Sequence, residues 1–194
     1  MTDARLKGKR IAIIAADQVE EVELVEPRRA LEDAGAETEL ISIEEGEIQG
    51  VNHFENASKH HVDRVVADAD PADYDGLMIP GGVGNADLIR GDEGMVEFTR
   101  GFFAQGKPVA VICHGPWMLV ETDVVRGRTV TSWPSLKTDI RNAGGEWVDR
   151  EVVVDQGLVT SRKPDDIPAF NARMIEEFAE GKHAGQREQA GAVH

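Results

Sequence analysis

The sequence has a single cysteine, Cys113, among 194 residues. One thiol cannot close an internal disulfide, and it suits a chain kept in a reducing compartment. Aromatic residues are scarce, at 5% of the chain. No apolar run approaches the roughly 20 residues that a membrane-spanning helix needs. Cations are outnumbered: 21 Lys and Arg face 36 Asp and Glu, a formal net charge of −15. Such an excess disfavours nucleic acid and anionic lipid as partners, since both are polyanions, and otherwise reads as an acidic, well-solvated surface. The first ten residues are polar and charged and lack the apolar core of a secretory signal. The expectation is a cytoplasmic protein that binds neither membrane nor nucleic acid.

Against these absences stands a hydrophobic content of 41%, ordinary for a globular chain and enough for one α/β domain. Short apolar runs alternate with helical patterns. Arg10 to Ala16 reads as a strand, Glu20 to Ala34 as a helix, and Glu37 to Ile43 as a second strand, a βαβ opening that implies a parallel sheet. Pro27 inside the helical pattern predicts a kink or a late helix start. Gly76 to Pro80 and Val109 to Ile112 read as buried strands, and Glu93 to Gln105 as a helix. Arg128 to Trp133 reads as a strand, and Ser135 caps a helix to Ala143. Val152 to Asp155 and Leu158 to Ser161 flank the hairpin signal Gln156-Gly157, and Asp165 to Ala179 is the last helix. Residues 1–181 are expected to form one domain, with 182–194 a loose polar tail. Glu44 to Asp75 is less regular: Glu47 to Gly50 reads as a short strand or hairpin arm and His61 to Val66 as another, and the irregular spacing of His53, His60 and His61 there suits a solvated loop better than a metal site. No cofactor is called for.

Cys113 sits where the apolar run Val109 to Ile112 ends, and His114-Gly115-Pro116 follows at once. Pro116 then opens a helical pattern from Trp117 to Val125. A thiol on such a strand-to-helix turn has the placement of a nucleophile elbow. A lone Cys ending an apolar strand is most often a buried small hydrophobe; the turn favours chemistry. The turns after Ala16, Ile79 and Ile112 all leave carboxyl ends of strands, the edge at which open α/β sheets bind ligands. That edge should gather Glu20 or Glu23, the glycine loop Gly81-Gly82-Val83-Gly84-Asn85 and Cys113-His114. A carboxyl could share a proton with the sulfur, the Gly82 and His114 N–H groups could hold an oxyanion, and His114 could act as acid or base. Neighbouring strand residues face opposite ways, so the His114 ring reaches the sulfur only if the turn redirects it.

Ala110-Val111-Ile112-Cys113-His114-Gly115-Pro116 resembles the nucleophile motif of the ThiJ/PfpI family, the superfamily of the Parkinson's-associated cysteine protein. Supporting stretches are Glu20-Glu21-Val22-Glu23-Leu24 with Pro27, Leu77-Met78-Ile79-Pro80-Gly81-Gly82, Gly106-Lys107-Pro108, Val130-Thr131-Ser132-Trp133-Pro134 and Asn142-Ala143-Gly144-Gly145. The resemblance implies a flavodoxin-like, three-layer α/β/α sandwich with a mostly parallel sheet, related to class I glutamine amidotransferase domains. It implies a Glu bonded to the Cys, here best matched by Glu23 with Glu20 close behind. It also implies an acid that reaches His114 from a neighbouring subunit, matched by Asp87, hence a homo-oligomer (dimer or hexamer). Trp133 stands where one branch carries a His, which favours the Cys113-His114 pair and places Trp133 with Gly81 and Gly82 around the substrate. The implied activity is thiolate attack on carbonyl or acyl carbon in small-molecule or peptide substrates, as in a deglycase or intracellular peptidase. A non-enzymatic stress protein that senses peroxide through Cys113 is the rival reading.

Overall fold

The computed structural model describes residues 4–186. The apolar runs do become strands. β1 (Arg10–Ile14) leads through β2 (Val19–Glu20) into α1 (Glu21–Asp33), and β3 (Glu37–Ser42) returns parallel to β1 with Ile13 opposite Leu40. Next come β4 (Glu47–Asn52), β5 (Glu55–His61) and β6 (Arg64–Val65). β7 (Gly76–Ile79) is followed by α2 (Val83–Arg90) and α3 (Glu93–Ala104), and β8 (Val109–Ile112) by α4 (Trp117–Glu121). β9 (Thr129–Val130), α5 (Lys137–Asn142) and β10 (Glu146–Trp147) precede β11 (Val152–Asp155), β12 (Leu158–Ser161) and α6 (Ile167–Glu180).

Seven strands form one sheet in the order β11-β12-β8-β7-β1-β3-β6, parallel except for the β11–β12 hairpin. The strands alternate their side chains between two apolar layers, which is why their sequences are apolar throughout. Ile11, Ile13, Met78 and Ala110 pack with Leu24 and Leu31 of α1 and Phe170, Met174 and Phe178 of α6. Ala12, Ile14, Leu77 and Val111 pack on the other face with Ile89, Phe102, Leu119 and Ile140 from α2 to α5. The result is the expected three-layer α/β/α sandwich. Five of the six phenylalanines lie inside it: Phe98, Phe102, Phe103, Phe170 and Phe178 are buried, each contributing about 1.5–3 kcal/mol relative to exposure. Phe54 is the exception, at 94% exposed. Among the described residues no helix is long and apolar enough to cross a membrane.

Several local expectations are corrected. α1 starts at Glu21 and runs through Pro27, because the buried side chains of Leu24, Pro27 and Leu31 hold it to the sheet despite one missing N–H. The glycine loop is shorter than expected: Val83, Gly84 and Asn85 already belong to α2, anchored by Ala86 and Ile89 in the core. Of Arg128 to Trp133 only Thr129–Val130 is a strand, paired with β10 outside the main sheet. Its continuation leaves the ladder to bond the elbow, Trp133 N–H donating to the Cys113 carbonyl at 2.8 Å. The hairpin arm at Glu47 is β4, but its partner arm is β5, which ends at His61 where the second arm was expected to begin, so His60 and His61 lie on a strand and not in a loop; β4 pairs antiparallel with β5 and parallel with β2. Residues 182–186 are docked, not loose, and 187–194 lie outside the described residues. Arg128 is fully buried and needs partners there; it donates to the side-chain and backbone oxygens of Gln186, at 3.2 and 3.3 Å. Gln186 Nε2 in turn donates to the Lys107 carbonyl at 2.6 Å.

Gln186→Ala should therefore lower the unfolding free energy by about 1–3 kcal/mol in urea titrations, because buried donors and acceptors lose their partner. A change within about 0.5 kcal/mol is what a solvated tail would give.

Candidate active site

Cys113 follows β8 in the left-handed region, at φ 63°. A non-glycine residue adopts this only when its surroundings impose it, at a cost of about 1–3 kcal/mol. Here its N–H donates to the Ser161 carbonyl of β12 at 3.0 Å, and its own carbonyl takes the Trp133 N–H. Both backbone groups are thus held from outside the turn. The twist brings the next side chain round to the sulfur: His114 Nδ1 lies 3.3 Å from Sγ. This resolves the facing problem posed by a straight strand.

Glu23 enters from the first turn of α1 and is fully buried. Its Oε2 accepts the Gly81 N–H at 2.9 Å. The approach requires glycine: a Cβ at Gly81 would stand 2.3 Å from that oxygen and 2.6 Å from the Cys113 Cβ. Glu23 Oε1 has no hydrogen-bond partner of regular geometry and is left to the thiol. Burial raises Glu23 to about 8; the thiol and the Gly81 N–H moderate the rise, and the charge of Glu20 adds to it. The carboxyl is therefore protonated at neutral pH. Burial also pushes the Cys113 thiol up, an ionised Glu23 would push it further, and the backbone N–H groups of Gly82 and His114 pull it down. Because Glu23 keeps its proton, the repulsive contribution is absent at neutral pH, and the carboxyl can donate to sulfur instead of accepting from it.

His114 is sandwiched between tryptophans. Trp133 stacks on its ring at 5.6 Å and 24°, and Trp117 meets it edge-on at 5.5 Å. Burial lowers His114 to about 4, so the imidazole is neutral at pH 7. All of these groups face a cavity of about 650 Å³ at the carboxyl ends of β1, β7 and β8.

The fold thus gathers Cys113, His114, Glu23, Gly81, Gly82 and Trp133 at one point. Glu20 and Asp87 line the same cavity but do not touch the sulfur. Glu20 accepts the His53 N–H at 3.1 Å across the hairpin turn, and Asp87 pairs with Arg90 at 3.0 Å. Of the two glutamates the residue pattern left open, Glu23 is the one beside the thiol. Two residues were not foreseen. Asn85 ties the strand ends together, accepting Ala16 N–H at 2.8 Å and donating to the Pro80 and Gly81 carbonyls. Trp117 had a signal, its place at the first position of the helix after the elbow. The three histidines do not converge: His60 pairs with Glu21 at 2.8 Å while His53 lines the cavity. The described residues with ligand spacing are Glu177, Glu180 and His183, at the opposite end of the sheet, where His183 and Glu177 form an ion pair at 3.2 Å.

The sequence model of the DJ-1/PfpI family matches residues 9–177. The chain is 42% identical over 168 residues to YraA of Bacillus subtilis, which carries a provisional cysteine-protease name, covering 87% of this chain and 97% of that one. It is 43% identical over 169 residues to protein/nucleic acid deglycase 2 of Escherichia coli, covering 87% and 96%. The crystal structure of Drosophila melanogaster DJ-1beta superposes with a TM-score of 0.80 at 25% identity, over 94% of this chain and 95% of that one. With its elbow thiol, its buried carboxyl and this similarity along nearly its whole length, the chain belongs to the DJ-1/PfpI family.

Proposed function

We propose that the chain is a cysteine-dependent hydrolase of the PfpI type, acting as a deglycase or peptidase on carbonyl or acyl carbon. Relatives named for a cysteine protease and a deglycase support this class. The observation that carries it is the convergence on one sulfur of a carboxyl kept neutral, a neutral imidazole and two backbone N–H groups.

In this reading Cys113 attacks the carbonyl carbon. The S–C bond forms and the carbonyl π pair moves onto oxygen. The Gly82 and His114 N–H groups, which favour charge on sulfur beforehand, follow the charge to the oxyanion. Neutral His114 relays a proton from water to the departing nitrogen as the C–N bond breaks, leaving a thioester and a hydroxide ion. That hydroxide attacks the thioester, and as the S–C bond breaks the sulfur leaves as the thiolate it began as, so no net proton is gained or lost. Glu23 stays protonated throughout and keeps a second negative charge away from the sulfur. Asp87, 67% exposed at the cavity edge, is offered outward, where a second copy of the chain would receive it in a homo-oligomer.

Cys113→Ser should reduce hydrolysis of a methylglyoxal adduct by about 10³-fold or more while leaving the melting temperature near wild type; an unchanged rate would overturn the reading. Glu23 gives a second, independent prediction. Its folded-state pKa lies above its unfolded one, so its contribution is fully present below about 4.5 and is lost as pH rises towards about 8. Wild-type stability should fall across that window. Glu23→Gln, which cannot ionise, should flatten the fall in urea titrations at pH 5 and pH 8 and lower the turnover rate. An equally steep fall in the variant would place the titration elsewhere.

A further inference from the structure

Among the described residues, the cavity leading to Cys113 is lined by carboxylates and by no lysine or arginine. Glu20 sits inside it with its side chain 12% exposed, and Asp87 stands at its edge. Cations that neighbour its lining residues are engaged by other groups. Arg90 pairs with Asp87 and lies over the Trp117 ring at 4.4 Å. Arg162 and Lys163, just before Pro164 at the mouth, pair with Asp149, Asp166 and Asp165. Glu20 is thus the carboxylate in the cavity without a cationic side-chain partner other than the His53 ring, 4.0 Å away and 84% exposed. His114 adds no positive charge at neutral pH.

The walls are apolar and partly bare. Phe54 is almost fully exposed, and Val83 and Trp133 are 49% and 38% exposed. A ligand can use such faces to cover an aliphatic stem, and aromatic faces attract a cation. An anion entering here meets carboxylates with no free donor side chain of opposite charge, and it must also approach a chain of net charge −15.

We propose that this cavity selects carbonyl substrates that carry a guanidinium or alkylammonium group on an apolar stem, with Glu20 the chief selecting residue, over those that carry a carboxylate, sulfonate or phosphate. The proposal rests on Cys113 being the reacting group. It adds a charge preference that the hydrolase reading does not require.

The test uses the wild-type chain and three methanethiosulfonate reagents: trimethylammonium-ethyl, sulfonato-ethyl and neutral methyl. Each reacts the same way: the Cys113 thiolate attacks the sulfenyl sulfur, methanesulfinate leaves, and a mixed disulfide forms that is read by intact mass. With one cysteine in the chain, all labelling reports on Cys113. Relative to 2-mercaptoethanol, the ratio of cationic to anionic labelling rates should be larger by about tenfold at low ionic strength, the size expected for one carboxylate a few ångströms away in a water-like medium. It should collapse in 1 M salt and fall several-fold in Glu20→Gln, which keeps the acceptor for the His53 N–H. Glu37→Gln, exposed at the amino end of β3 and so at the opposite end of the strands from the cavity, should leave it unchanged. A ratio equal to that of mercaptoethanol overturns the proposal, as does a ratio equally sensitive at Glu20 and Glu37, with circular dichroism confirming folded variants. Either outcome leaves the hydrolase reading standing. Failure of even the neutral reagent to label Cys113 overturns both.

Discussion

The burial of Glu23 against Cys113 constrains everything else in the molecule's chemistry. Two acidic groups share a space from which water is nearly excluded, so the pair cannot carry two negative charges without a large desolvation and repulsion cost. One proton must stay. Glu23 keeps it up to about pH 8, which removes its repulsion from the sulfur and sets a carboxyl O–H beside the two backbone N–H groups that favour charge there. The same constraint explains the surrounding architecture. Gly81 must lack a side chain for its N–H to reach Glu23, Asn85 holds the Gly81 carbonyl from behind, and the φ of Cys113 is forced positive by hydrogen bonds from β12 and the Trp133 segment. Local strain at the elbow is thus sustained by the sheet.

Placement at the edge of the sheet follows from topology. The chain builds outward from β1 to β3 on one side, then crosses to β7, β8 and β12 on the other. Where that order reverses, the loops after β1 and β7 diverge and leave a crevice at the strand carboxyl ends. α1 drops Glu23 into the crevice from one side and the elbow supplies Cys113 from the other. The hairpin of β4 and β5 then walls the opening with Val51, His53 and Phe54.

Much of this was legible in the residues. The strands β1, β7 and β8 are apolar at nearly every position because both faces are covered, and such runs can hardly be anything else. The elbow was legible because a Cys, a Gly and a Pro fall together at the end of one of them. The less legible parts depend on contacts between distant segments. Glu20 and Glu23 lie on the same helical approach, and only the packing of α1 decides which is buried. The ring of His114 faces the sulfur through a single backbone angle at Cys113. Gly-Val-Gly-Asn reads as loop, yet Ala86 and Ile89 hold it as the start of a helix. Residues 182–186 look like solvated tail, yet a buried Arg128 gives Gln186 a place in the core. No local pattern announces these arrangements, because each is settled by tertiary packing around the segment.

The most direct test of the central claim, that the shared proton rests on Glu23 and leaves sulfur ionised, is a titration of the thiolate absorbance in the ultraviolet across pH 4 to 10. Cys113 is the only cysteine in the chain, so the signal belongs to one group. The predicted result is a thiolate present at neutral pH, with a midpoint clearly below the roughly 8.5 of a free cysteine. A sulfur that stays protonated until pH rises above about 9 would contradict the claim: burial would then outweigh every donor around it.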